Sequence, residues 1–256
     1  MKKQLYFKTT IKRKNPITAF FLGLFTFSVG MPRMICETFS RKDFGERYWN
    51  IGWATIYTAL LLSVPMSGLL PMKFLGAGAP ETILDSFTWY LFVMAFAYKS
   101  GRHWDDQRRN PSTFDFGKYS YSSGKLDNRF INFRINGKTL DYRTIETIIE
   151  PAFFFAVGLG LTILHQSIGL LLVFSSIAYS ASRFLDYHNG DEKVLDIIDS
   201  MIIKEDYERA FMDEMELDNG RGLHIPSRRP KDMKNRKKVV DAMFAQDDDE
   251  QRTYVA

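Results

Sequence analysis

A run of twenty residues without a charged side chain, Ile51–Leu70, constrains this chain more than any other feature. A helix of about 20 residues spans about 30 Å, which is the thickness of the hydrocarbon core of a bilayer. The chain contains 25% charged residues, but they are segregated from the apolar stretches. The distribution of charge, more than the overall composition, therefore predicts an integral membrane protein.

Four stretches have the length and apolarity of membrane-spanning helices. We expect them to form two antiparallel hairpins, the first over residues 51–98 and the second over residues 145–185. Only residues 165–167 separate the last two spans, which requires a tight connection between them. The four predicted spans are Ile51–Leu70, Ile83–Tyr98, Ile145–Leu164 and Ile168–Leu185.

A fifth apolar stretch, Ile17–Met31, follows Asn15-Pro16, a pair typical of a helix start. Pro32 and Arg33 end this run after fifteen residues, about 22 Å of helix, which is short for a straight crossing. We therefore expect residues 1–50 to form a basic cytoplasmic arm with an interfacial or re-entrant helix. No small-residue cleavage motif follows the stretch, so a cleaved signal peptide is not expected.

The distribution of Lys and Arg decides between four and five spans. If Ile17–Met31 does not cross, 33 of the 34 basic residues lie on one side and only Lys73 lies on the other. If it crosses, the best orientation gives 27 against seven. Since basic residues are retained on the cytoplasmic side, the count favours four spans with both termini in the cytoplasm, in a bacterial inner (plasma) membrane. Five spans with an external N-terminus remain the alternative.

Three cytoplasmic segments are predicted to carry structure or charge. Residues 99–144 contain a β-hairpin, Arg129–Ile135 with Lys138–Tyr142, because alternating apolar residues flank an Asn-Gly turn. Residues 186–217 form an amphipathic helix that begins after a turn at Asn189-Gly190. Residues 218–256 form a charged, mobile tail. The predicted fold is thus all-α and polytopic, with a small hairpin and a C-terminal amphipathic helix outside the membrane.

Two sets of residues are candidates for binding or packing. A basic cluster in the tail predicts contact with anionic lipid or a protein partner; nucleic acid is not expected, because no aromatic residues are interleaved. The cluster consists of Arg228, Arg229, Lys231, Lys234, Arg236, Lys237 and Lys238. Small residues at helical spacing predict close helix packing within the protein, with homo-oligomerisation as the alternative. They are Ala152, Ala156 and Gly160 on one helix and Ser175, Ala178 and Ser182 on the next.

We find no catalytic set, cofactor site or metal site in the sequence. The segment His103-Trp104-Asp105-Asp106 offers only one imidazole beside two carboxylates, and the single cysteine excludes an internal disulfide. Glu146 and Glu150 are candidates for a transport path, but their position at the start of a helix already explains two carboxylates.

These sequence features suggest three alternative functions. The first is a non-enzymatic membrane scaffold or assembly component that docks cytoplasmic protein partners, for instance within a secretion or transfer apparatus. The second is an oligomeric channel or small transporter that uses Glu146 and Glu150. The third is a membrane enzyme that uses His103 with Asp105 and Asp106.

Overall fold

The computed structural model describes residues 16–65, 86–109, 113–135, 137–212 and 228–242. These residues form two compact units. The larger contains residues 22–187, and the smaller contains the described residues of both chain ends, 16–21, 188–212 and 228–242. The described chain is mostly helical. Its elements are α1 (Pro16–Ser40), β1 (Arg41–Lys42), α2 (Ile51–Ser63), α3 (Phe87–Arg109), β2 (Lys125–Leu126), α4 (Asn128–Ile131), β3 (Arg134–Ile135), β4 (Lys138–Thr139), α5 (Tyr142–Thr144), a π-helical turn (Ile145–Ile149), α6 (Glu150–Ile163) and α7 (Ser167–Met212).

Three helical stretches are long and apolar enough to cross a membrane: Pro16–Ser40, Tyr142–Ile163 and Ser167–Met212. They agree with an all-α membrane protein. The first predicted hairpin has a different outline, because α2 is an apolar helix of only 13 residues and α3 extends well past Tyr98 into charged sequence. Residues 66–85, which hold the end of the first predicted span and the start of the second, lie outside the described residues.

Helix α1 continues where the sequence indicated a stop. The prediction that the helix ends at Pro32 is wrong, because α1 has 25 residues and passes through this proline. A proline removes one backbone hydrogen bond and often bends a helix, but the residues beyond it have strong reasons to remain helical. Ile35 and Cys36 are buried in the bundle, and Arg33 pairs with Glu37 one turn later. The argument from length against a crossing therefore no longer applies to this segment.

The core of the larger unit joins α1, α2, α3 and α7. Ile35, Leu61, Trp89, Phe96 and Ile168 belong to one buried apolar cluster. Trp89 also donates its indole N–H to the carbonyl of Leu61 at 2.7 Å, which satisfies a polar group that would otherwise be buried without a partner. The cluster fixes α2 and α3 against the end of α1.

Helices α6 and α7 are joined by residues 164–166, and they approach through glycines. A Cβ atom on Gly158 would lie 2.8 Å from the nitrogen of Val173, and one on Gly169 would lie 2.4 Å from the nitrogen of Thr162. The face of α6 that contains Gly158 is not the face that the sequence predicted. Ala152, Ala156 and Gly160 are exposed, so the interpretation that they pack inside the bundle is wrong. The structure places the α7 set in buried positions: Ser175, Ala178 and Ser182. The spacing of small residues in the sequence did not determine which face of α6 packs against α7.

Two short antiparallel ribbons lie beside the helices. In the first, β1 pairs with β2. In the second, β3 pairs with β4 around Gly137, whose φ of 77° suits a tight hairpin turn. The predicted hairpin is therefore present, but both of its strands are shorter than expected: the second ends at Thr139, and Tyr142 already belongs to α5. Residues Asn128–Ile131 form α4 instead, because the Asp127 side chain accepts a hydrogen bond from the nitrogen of Arg129 and caps a helical turn.

The smaller unit contains the second half of α7. The turn predicted at Asn189-Gly190 is wrong, since α7 is helical through both residues. Glycine inside a helix costs about 1 kcal/mol relative to alanine, which a long helix with good helix formers on both sides tolerates. The prediction of a mobile tail does not hold for residues 228–242. Residues 233–242 of this segment form a further helix, which we call the tail helix. Its Val240 is buried.

An ionic network inside the bundle as the candidate functional site

Ionised side chains from α1, β1, the π-helical turn, α6 and α7 meet inside the larger unit. Three of the carboxylates and two of the guanidinium groups are almost fully shielded from solvent. Charges withdrawn from water cost several kcal/mol each unless they are paired and hydrogen-bonded, so the arrangement has to be nearly complete. Its members are Arg33, Arg41 and Arg183 with Glu37, Glu146, Glu150 and Asp186.

Arg41 is the centre of one half of the network. Its Nη2 lies 2.7 Å from Oε2 of Glu150, its Nε lies 3.1 Å from Oε1 of the same carboxylate, and its Nη1 lies 2.8 Å from Oε1 of Glu146. Such a two-pronged contact matches the planar shapes of guanidinium and carboxylate. Ser40 and Tyr187 complete the coordination by donating their hydroxyl groups to Glu150 and Glu146, each at 2.5 Å.

Glu37 is the centre of the other half. Its Oε1 accepts from Arg33 at 2.9 Å and from Arg183 at 2.5 Å, and its Oε2 accepts from the hydroxyl of Tyr48 at 2.5 Å. Burial and the neighbouring Glu37 carboxylate raise the pKa of the Tyr48 phenol, so it keeps its proton and acts as a donor. Arg33 also binds Asp186, at 2.6 Å, on the exposed side of the cluster.

Tyr179 links the two halves. The guanidinium carbons of Arg41 and Arg183 lie 5.8 Å and 5.7 Å from the centre of its ring, and its hydroxyl oxygen accepts from Nε of Arg41 at 3.0 Å. Ser123 connects the same two arginines, because its hydroxyl oxygen is 3.2 Å from Nη1 of each. One tyrosine and one serine therefore keep two like charges apart within a small volume.

The local sequence explains how the π-helical turn positions Glu146 and Glu150. Pro151 has no N–H, so the carbonyl of Thr147 lacks its usual partner four residues later. The hydroxyl of Ser180 on α7 donates to this carbonyl at 2.6 Å. The wider turn at Ile145–Ile149 and this bond from α7 present both carboxylates to Arg41.

The network changes the interpretation of one sequence-predicted feature. Glu146 and Glu150 were candidates for a transport path. In the structure both form buried ion pairs with Arg41. Arg183 and Asp186, three residues apart near the end of the fourth predicted span, are separated by 3.9 Å, and the shorter contact of Arg183 is to Glu37. The ion pairs connect five elements of the bundle: α1, β1, the π-helical turn, α6 and α7.

His103 lies near the network but points elsewhere. Its Nε2 is 2.8 Å from the carbonyl of Thr38, and its ring meets the edges of Phe44 and Trp49. Burial lowers the pKa of this imidazole. The described ranges contain no group of three His, Cys, Asp or Glu side chains that could hold a metal ion. The geometry therefore makes His103 part of the packing between α1, the following loop and α3.

The basic cluster of the tail divides into two groups. Arg229 donates to the carbonyl of Ala210 at 3.0 Å, and Arg236 donates to that of Phe211 at 3.4 Å, so both satisfy carbonyls at the end of α7. The other five are exposed: Arg228, Lys231, Lys234, Lys237 and Lys238. Contact of this exposed group with lipid or a partner stays a prediction.

Sequence reasoning missed Arg33, Glu37 and Arg41 as a set. A signal was present, since the three residues follow an apolar helix at intervals of four and alternate in sign. Their partners on the π-helical turn, α6 and α7 lie more than one hundred residues away, and no periodicity within α1 could identify them. Tyr179 had no signal of its own, because a tyrosine on an apolar helix is ordinary.

The long apolar helices indicate a membrane location, and with the buried network they define the chain as an all-α membrane protein with an ion-paired core. No protein-family model, no curated protein and no solved structure matches the chain.

Proposed function

We propose that this protein is a non-enzymatic membrane scaffold that docks a protein partner on the cytoplasmic side through the second half of α7. The single observation that carries the proposal is a set of exposed apolar side chains on that helix. Val194, Leu195, Ile198 and Met201 are each between 44% and 56% exposed. Their spacing places them along one side of the helix.

Exposed apolar surface of this kind is typical of interaction sites. The same stretch carries Asp191, Glu192 and Asp199, and these acidic residues disfavour an anionic membrane surface. A protein partner therefore suits this face better than lipid. A multiprotein apparatus for secretion or transfer is a setting in which such a component would serve.

The buried network supports a structural role for the rest of the chain. Glu146 and Glu150 are engaged by Arg41, so their geometry favours a rigid base over a path for ions. The contact between Arg33 and Asp186, at 2.6 Å, also ties the second half of α1 to α7.

An oligomeric channel is the second candidate. One observation favours it: Ala152, Ala156 and Gly160 are exposed on α6, and small residues in this pattern let helices of neighbouring subunits approach closely. Cysteine cross-linking at position 156 in native membranes tests the oligomer. A monomer under these conditions would remove the channel from consideration.

The scaffold is tested by affinity purification with quantitative mass spectrometry from native membranes. The docking variant carries Val194→Ser, Leu195→Ser, Ile198→Ser and Met201→Ser. The matched control carries Glu192→Ser, Lys193→Ser, Asp199→Ser and Glu208→Ser, which are exposed polar positions of the same helix. We expect specific partners to be lost with the first variant and retained with the second, at equal membrane integration. Identical partner sets for both variants and the parent protein would refute the proposal.

A further inference from the structure

A groove in the larger unit combines an apolar channel with a basic mouth. The channel is a cavity of about 590 Å³, within the range of about 300–1,000 Å³ that is usual for small-molecule sites. It lies between the end of α1, α4 and the start of α6. Its larger apolar lining residues are Phe39, Phe130, Phe133, Ile149, Phe153 and Phe154.

The basic mouth is an adjoining cavity of about 540 Å³ that shares Phe39, Asp127 and Arg129 with the channel. Lys42, Lys99 and Arg102 also line it, together with Asp106. Arg41 lines it as well, but Glu146 and Glu150 already neutralise this guanidinium. Four unburied cations therefore face two carboxylates, and the closest internal pair among them, Lys42 with Asp127, is separated by 3.7 Å.

The backbone around the groove is well fixed. Pairing of β1 with β2 holds the segment after Lys125 against the end of α1, and the nitrogen of Asp127 donates to the carbonyl of Ser40 at 3.2 Å. On the other side, Phe130 of α4 and Phe153 of α6 meet edge to face with their ring centres 5.7 Å apart. The channel is thus lined by α1, α4, the π-helical turn and α6, and hydrogen bonds and ring contacts tie its walls together.

We propose that this groove binds one anionic phospholipid, with the phosphate and the headgroup charge against Lys42, Lys99, Arg102 and Arg129 and an acyl chain in the channel. Charge complementarity selects an anionic headgroup, as in basic pockets between membrane helices. The apolar channel selects a ligand with a long hydrocarbon chain. Phe153 is 52% exposed on α6, which belongs to a stretch apolar enough to cross the membrane, so the channel opens where acyl chains are available.

The test uses full-length protein in detergent and native mass spectrometry with phosphatidylglycerol and phosphatidylcholine of identical acyl chains. We expect one phosphatidylglycerol to be retained at least tenfold more tightly than phosphatidylcholine. Replacing Arg102 and Arg129 by alanine should weaken phosphatidylglycerol binding about tenfold, because each cation near a headgroup contributes several-fold to affinity. Replacing Lys125 and Arg134, exposed cations that do not line the groove, should leave binding unchanged.

A second pair of variants tests the channel. Ala152 lines it, and Ala156, one turn further along the same exposed face of α6, does not. Ala152→Trp should therefore abolish retention of the lipid, and Ala156→Trp should not. Three outcomes overturn the proposal: equal binding of both lipids (bulk lipid contact only), equally tight binding of water-soluble glycerol phosphate (a site for a small phosphate compound), or a lipid-free dimer that Ala152→Trp dissociates (a groove filled by a second copy).

Discussion

Arg41 and Glu150 are separated by 109 residues in the chain, yet they form an ion pair in which neither side chain is exposed to solvent. The contact joins the residue directly after α1 to the first residue of α6. Two nitrogen–oxygen contacts and the hydroxyl of Ser40 complete it. Because both charges have been withdrawn from water, removing either partner leaves the other without compensation. The loss of one partner therefore costs more than a contact of so few atoms would suggest.

We expect Arg41→Met to lower the free energy of unfolding by about 3–5 kcal/mol, the usual cost of breaking a buried ion pair by removing one partner. The substitution leaves Glu146 and Glu150 without their shared guanidinium. Unfolding in detergent, followed by circular dichroism, measures the effect. The double variant Arg41→Met/Glu150→Met should be less destabilised than the sum of the two single variants, since it removes both charges.

The ion pair of Lys125 with Asp43 provides the control. It has a nitrogen–oxygen distance of 3.2 Å, but its side chains are 81% and 35% exposed. Exposed pairs contribute about 0–1 kcal/mol. Lys125→Met should therefore change the free energy of unfolding by less than about 1 kcal/mol. If Arg41→Met were as mild as Lys125→Met, the network would not be a structural lock.

The glycines of α6 give a second prediction, on packing. Gly158→Ala places a Cβ 2.8 Å from the nitrogen of Val173, and forcing the two helices apart should cost about 1–3 kcal/mol. Gly160→Ala meets no atom within 4 Å and should be neutral or stabilising by up to about 1 kcal/mol, because alanine favours helix more than glycine does. Thermal unfolding of the two variants in detergent checks the difference. Equal melting temperatures would show that α6 and α7 are not in close contact at Gly158.

The fold class could be predicted from the sequence, because the segregation of charged residues from long apolar stretches is visible along the chain without any knowledge of tertiary contacts. Three long apolar helices and the hairpin around Gly137 are present in the structure. Local rules failed where tertiary contacts competed with them. Pro32 and Gly190 both lie inside helices that continue past them. Buried residues beyond Pro32 keep α1 helical, and helix-forming residues on both sides of Gly190 keep α7 helical.

The ionic network could not be predicted from the sequence, for a different reason. Glu146 and Glu150 could be identified as unusual carboxylates, but their partner Arg41 lies in another part of the chain. Pairing at such separation depends on the rotation of each helix about its own axis. Small-residue spacing suggested the wrong rotation for α6, as the exposed Ala152 and the packed Gly158 demonstrate.

His103 predicts an acid-sensitive step in stability. Its Nε2 bonds to the Thr38 carbonyl at 2.8 Å, and within the described ranges its buried Nδ1 has no partner. Burial lowers the pKa of the folded imidazole below the ordinary value of about 6.5. As pH falls through about 6.5, the unfolded chain takes up a proton that the folded chain does not. The associated stability is present above this pH and is lost below it, by at most about 1.4 kcal/mol per pH unit.

Melting temperatures measured in detergent between pH 8 and pH 5.5 test this. His103→Gln removes the titrating group, so its melting temperature should depend less on pH than that of the parent protein. His188→Gln, at an exposed position, should retain the parent profile. An unchanged acid response in His103→Gln would show that another group is responsible.

Arg229 and Arg236 should hold the tail helix on the end of α7. Each donates to a carbonyl at that end, and hydrogen bonds from charged groups contribute about 1.5–3 kcal/mol. We expect Arg229→Ala/Arg236→Ala to speed amide hydrogen exchange in residues 233–242 by about tenfold or more, because about 1.4 kcal/mol corresponds to a factor of ten. Lys234→Ala/Lys237→Ala removes the same charge from exposed positions of the same helix and should leave exchange nearly unchanged. Equal acceleration in both pairs would mean that overall charge, and not these two carbonyl contacts, keeps the tail helix in place.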